Sequence, residues 1–225
     1  MIGRREVLGV LAAGAGLLVA GCSLFNGKAS YRFRLTVEIE TPQGLKSGSS
    51  VYEVWASTNS ARLLPEEHAR DWGVKGEAVA VVLPTGQTLF ALLKTGAIHG
   101  DLASMSMAAM DPAFRNDIVE SAGRIAGGDG IRSPAEVARA DWPMLVQFGD
   151  MGDPKSVEQV NPQAAGVKRI TVELTEDPVT SVIGKRLVWL PSYYDTLLSG
   201  ERFEKVSARL ADHLGAGDFS TELRK

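Results

Sequence analysis

Ten consecutive residues near the start of the chain alternate strictly between apolar and polar. Tyr31, Phe33, Leu35, Val37 and Ile39 are interleaved with Arg32, Arg34, Thr36, Glu38 and Glu40. A period of two means an extended strand with one face buried and the other wet. Thr41-Pro42-Gln43-Gly44 follows, with Pro and Gly where turn chemistry asks for them. A second strand is expected over 49–57, with Val51, Val54 and Trp55. The first unit is therefore a β-hairpin. A second hairpin is expected over 76–83 and 87–94, joined through Pro84-Thr85-Gly86. Within them, 78–83 and 89–93 are unbroken apolar runs, the pattern of strands covered on both faces.

The middle of the chain reads as helical. Asp111-Pro112 places an acidic cap before a proline at the first helical position, for a helix to residue 126. Phe114, Ile118, Ala122 and Ile125 share one face of it, and Gly127-Gly128-Asp129-Gly130 ends it. Ser133-Pro134-Ala135-Glu136 repeats the logic with a capping-box pattern, for a short helix to residue 140. Strands are expected at 144–148, 168–175 and 185–190. Short helices are expected at 195–198 and 201–214, the second with a stripe of Phe203, Val206, Leu210 and Leu214. Short turns between successive strands favour antiparallel neighbours. The expected fold is α+β: a curved antiparallel sheet of six or seven strands with helices packed on it, barrel-like closure being one possible form.

The N-terminus carries a different signal. Arg4 and Arg5 precede an apolar run over 7–20, and Gly21 leads to Cys22, the single cysteine. A basic start, an apolar middle and small residues before a cut make an export signal. The run spans 14 residues, short of the roughly 20 that cross a bilayer. Val19-Ala20-Gly21-Cys22 resembles the lipobox of bacterial lipoproteins. That resemblance implies removal of residues 1–21 and acylation of Cys22, which would hold the chain on a membrane. Gly3-Arg4-Arg5-Glu6-Val7-Leu8 resembles a twin-arginine export motif with Val7 in place of its usual Phe, and an ordinary Sec signal fits equally. Ser23, in place of an Asp after the cysteine, implies the outer membrane facing the periplasm rather than the inner membrane. The expected organisation is a signal over 1–21, a tether over 22–30, one α+β domain over 31–214 and a polar flexible tail over 215–225.

Composition bounds the partners. With 24 basic and 27 acidic residues the net charge is −3, and no basic block interrupts the chain, so nucleic acid is not an expected ligand. One cysteine makes no internal disulfide. No solenoid or propeller period is present.

The catalytic inventory is thin. There is no Gly-x-Ser-x-Gly elbow, no His-Glu-x-x-His, and no phosphate-cradling glycine loop after a strand. Of three histidines, His68 lies in a charged surface stretch and His213 near a helix end. His99, in Ile98-His99-Gly100-Asp101 with Ser104 close by, is the candidate base for a hydrolase using His99, Asp101 and Ser104. Met105, Met107 and Met110 are candidate thioether ligands for Cu(I) in a copper-binding module; as core fillers they need no metal. Asp150, Asp153, Glu176 and Asp177 are candidate cation ligands whose spacing matches no EF-hand. Trp72, Trp142, Tyr193 and Tyr194 are candidate contact residues for a partner. No cofactor is expected.

Several stretches together resemble a family of proteobacterial envelope proteins with no assigned function. They are Asp150-Met151-Gly152-Asp153-Pro154-Lys155-Ser156-Val157, Lys168-Arg169-Ile170-Thr171-Val172-Glu173, Pro178-Val179-Thr180 and Leu187-Val188-Trp189-Leu190, with the opening 31–40 strand. In that family the first stretch reads Asp-x-Asn-Asp-Pro, whereas Met151-Gly152 stand here. The resemblance covers most of 31–190 and implies no reaction, cofactor or catalytic residue. The expectation is a non-enzymatic binding or assembly module, attached to the membrane through Cys22, with an envelope protein as its partner.

Overall fold

The computed structural model describes residues 28–59, 69–96, 100–204 and 206–223. The signal, Cys22, His68 and His99 lie outside these residues. In chain order the elements are β1 (Lys28–Thr41), β2 (Gly44–Asn59), β3 (Ala69–Lys75), β4 (Val79–Val82), β5 (Thr88–Thr95), α1 (Leu102–Met110), α2 (Ile118–Gly127), β6 (Ala135–Glu136), β7 (Pro143–Phe148), β8 (Val157–Gln159) and β9 (Val167–Leu174). The strands form two antiparallel sheets, ordered β3-β2-β1-β9-β6 and β4-β5-β7-β8. Both sheets are open, so the structure is α+β, poor in helix, and not a closed barrel.

The first hairpin follows the alternation. Thr41 pairs with Gly44 across the turn, and Gly44 takes φ +99°, a left-handed backbone that glycine adopts without a Cβ clash. Tyr31, Phe33, Leu35, Val37 and Ile39 are all buried. They meet Val79 and Val81 of β4, Leu89 and Ala91 of β5, and both helices in the main core. β2 and β4 approach so closely that a Cβ on Gly48 would lie 2.3 Å from the Ala80 carbonyl oxygen.

β5 is buried on both faces, as its unbroken apolar run requires. Leu89 and Ala91 enter the main core, while Phe90 and Leu92 enter a second one. Its second face is covered by irregular chain rather than by helices. Ile183, Leu187, Leu190, Leu198, Leu214 and Phe219 fill that second core from turns and short 3-10 pieces.

Several expected elements differ. α1 forms over a stretch, Leu102–Met110, for which no element was expected. Its sides are buried nearly all round, so it shows no polar stripe from which a helical period is legible. The helix expected to follow Asp111-Pro112 begins later, at Ile118 behind the cap Asp117, because Asp111 is held at the end of α1 by Arg124 and Ser121. Residues 133–138 are not helical, and only a 3-10 turn at Arg139–Asp141 follows them. Ala135 and Glu136 pair with β9, and the Val137 N–H donates to Ile170 O at 2.9 Å, so an open sheet edge outweighs a capping box. No strand forms at 185–190, where Leu187 and Leu190 fill the second core from turns. No α-helix forms over 195–198 or 201–214; within the second stretch only Leu210–Asp212 makes a 3-10 turn. The expected stripe is split: Leu214 is buried in the second core, whereas Phe203 and Val206 are exposed. Residues 216–220, polar in composition and expected to fray, instead carry Phe219 into that core, and the Ala78 N–H donates to Phe219 O at 2.8 Å.

Candidate functional site

Asp101 and Ser104 do meet, at the start of α1. Asp101 Oδ1 accepts from the Ser104 N–H at 2.8 Å and Oδ2 from the Ser104 hydroxyl at 2.9 Å. That is N-cap geometry: a carboxylate satisfying free donors in the first helical turn. The pair lines a cleft of about 220 Å³ together with Thr95, Met105, Asn116 and Asp141. A serine nucleophile needs a base to take its proton. The residue expected to do so, His99, lies outside the described residues.

The methionines are deployed as core. Met107 and Met110 are fully buried and Met105 nearly so. On a strand Met105 and Met107 would share a face. On a helix two positions turn the chain by about 200°, so the two thioethers diverge. The acidic candidates are engaged locally. Asp150 accepts from the Gly152 N–H and Asp153 from the Lys155 N–H. Asp177 pairs with Arg34, while Glu176 stands 3.9 Å from Arg32. Among the described residues, no three His, Cys, Asp or Glu side chains surround a common metal position.

A second cleft, of about 430 Å³, had no signal in the sequence. It lies between Lys94 near the end of β5 and the C-terminal turns carrying Tyr194, Arg202, Glu204, His213 and Asp218. His213 Nε2 is 2.8 Å from Ser207 O. A carbonyl only accepts, so Nε2 carries the hydrogen and the neutral ring presents the Nδ1 lone pair. Glu204 Oε2 stands 3.8 Å from Nδ1, an ion pair when the imidazole is protonated. Burial pushes the Asp218 carboxyl above the usual carboxylate range, against the opposing pull of the Gly215 N–H and the Lys94 charge. Arg202 has no ion-pair partner among the described residues. The cleft thus offers both charge signs and a ring nitrogen to a polar ligand. Lys94 and Asp218 come from opposite halves of the chain, so no local spacing announces their meeting.

The aromatic candidates separate by exposure. Trp142 is buried and its indole N–H donates to Val137 O at 3.0 Å. Tyr193 and Tyr194 are half-buried. Trp72, on the edge strand β3, is 43% exposed. Comparison with protein-family models, with curated proteins and with solved structures returned no match.

Proposed function

We propose that the chain is a lipid-anchored envelope protein, acylated at Cys22 and facing the periplasm from the outer membrane, whose folded part is a non-enzymatic binding or assembly module. One observation carries the reading. The sequence that reads as an export signal, residues 1–21, stops directly before Cys22, and the chain enters β1 at Lys28, only six residues after that cysteine. An acylated Cys22 therefore holds the folded part directly at the bilayer. No described helix is long and apolar enough to cross a membrane. The binding role draws support from how the catalytic candidates are used: Asp101 caps a helix by accepting from Ser104, and the methionines pack the core. The mixed-charge cleft at Lys94, His213 and Asp218 is the surface for a polar group of the partner.

The test is in-cell crosslinking of the tagged chain against its Cys22→Ser form, with membrane fractionation and mass spectrometry of the adducts. The proposal expects one envelope protein crosslinked to the anchored form and lost from the Cys22→Ser form. Equal recovery of both forms from the soluble fraction, with no common adduct, contradicts it.

A hydrolase is the second reading, favoured by the 2.9 Å contact of Ser104 with Asp101 at a cleft mouth. It requires that hydrolysis of p-nitrophenyl acetate by the purified protein disappear in both Ser104→Ala and His99→Ala.

A further inference from the structure

We infer that the end of the five-stranded sheet carrying Lys28 and Trp72 faces the lipid bilayer, with the Trp72 indole at headgroup level. This rests on acylation at Cys22 and adds to it an orientation and a contact residue. The argument begins with chain length. Five residues lie between Cys22 and Lys28, and the six extended steps that join them reach at most about 20 Å. The point where β1 begins is thus confined near the membrane surface.

The register of the sheet then says which side chains share that end. Lys28 pairs with Ser57, which pairs with Asp71; Ala29 pairs with Ala56, which pairs with Trp72. Trp72 is therefore two strand spacings, roughly 10 Å, from the second residue of β1. It shares the face of the buried Ala56 but sits on the edge strand at the rim of the core, 43% exposed. The opposite end of the hairpin, at Thr41 and Gly44, lies the full 14 residues of β1 away, about 45 Å.

An indole half out of a protein surface suits one environment in particular. Its rings are apolar and its N–H is polar, and tryptophan concentrates at the boundary between acyl chains and headgroups. Charge is not what selects the bilayer here. Lys28 is exposed, but Asp71 stands in the same row and is exposed too. Lys75 is 4.0 Å from Glu53. The contact is consequently an interfacial aromatic one, and it is insensitive to the anionic lipid content.

The test uses the full chain purified from membranes and reconstituted in vesicles of phosphatidylethanolamine and phosphatidylglycerol with brominated acyl chains. Mass spectrometry of its N-terminal peptide accompanies the fluorescence. Bromine is expected to quench the tryptophan emission, and Trp72→Phe is expected to lose more than half of that quenching. In the Trp72→Phe background, Gln43→Trp adds a reporter at the far turn, and its added emission is expected to be unaffected by bromine. An acylated, vesicle-bound chain that is not quenched, or that is quenched equally in Trp72→Phe, overturns the orientation and leaves the anchor standing. A chain that carries no acyl mass and stays off the vesicles overturns the anchor, and the orientation with it.

Discussion

Arg124 grips the Asp111 carboxylate with two hydrogen bonds, its Nε and Nη2 donating to Asp111 Oδ2 at 3.1 and 2.7 Å. Ser121 donates a third to the same oxygen at 2.6 Å. The residue that closes α1 is thereby fastened to α2 at its first turn and its middle. Burial alone would raise this carboxyl, but the bonds from Arg124, Ser121 and the Ala113 N–H outweigh it and hold it below the usual range. A carboxyl lowered by folding stabilises the native state above its unfolded value of about 3.9. That contribution is lost as pH falls through the folded value. Urea midpoints measured from neutral to acid pH are expected to fall on the acid side, and Asp111→Asn is expected to lower the neutral midpoint and flatten that fall.

Asp212 and Asp218 respond in opposite directions. Hydrogen bonds from Ser207, Ser199 and Arg209 bring Asp212 down to about 2 against the opposing effect of burial, so its charge stabilises the fold above the unfolded value and ceases to as pH drops towards about 2. Asp218 is raised by burial. Its contribution is present below the unfolded value and is lost as pH rises through the folded value. At neutral pH, Asp212→Asn is expected to lower the urea midpoint. Asp218→Asn keeps an oxygen for the Gly215 N–H and is expected to raise it.

Phe219 tests whether the C-terminal turns belong to the fold. Its ring is fully buried against Phe90 and Phe148, with centroids 6.2 and 5.9 Å away. Phe219→Ala is expected to cost about 3–5 kcal/mol in chemical denaturation. A change within about 0.5 kcal/mol, as for an ordinary surface site, would mean that residues 216–220 do not pack on the second sheet.

Gly48 tests how closely the two sheets meet. With the Ala80 carbonyl oxygen 2.3 Å from a Cβ at that position, Gly48→Ala must push backbone from backbone and is expected to destabilise by about 1–3 kcal/mol. Gly184→Ala, where nothing lies within 4 Å of the added carbon, is the control and is expected to be close to neutral.

The parts of this fold that were legible in the sequence are those governed by local rules. Alternation at Tyr31–Phe33–Leu35 and the Pro42/Gly44 turn define β1 and β2, and the doubly apolar run at Leu89–Phe90–Ala91–Leu92 marks β5 as a central strand. What stayed hidden depends on distant partners. α1 is buried on nearly every side, so Met105 and Met107 carry no periodic contrast. Ala135 and Glu136 obey the edge of β9, which lies more than thirty residues on. Phe203 and Val206 complete a helical stripe only if residues 201–214 coil, and that segment instead spends Leu210, Ala211 and Leu214 on the second core. Within the candidate sites, Asp101 with Ser104 was legible from spacing. Lys94 with His213 and Asp218 was not, because tertiary packing alone assembles them.

The central claim is the lipid anchor, and the mass of the mature N-terminal peptide tests it most directly. The account predicts a chain that begins at Cys22, carries acyl mass on that residue and fractionates with membranes. A chain that retains residues 1–21, or that begins elsewhere with Cys22 unmodified and is recovered in the soluble fraction, would contradict it.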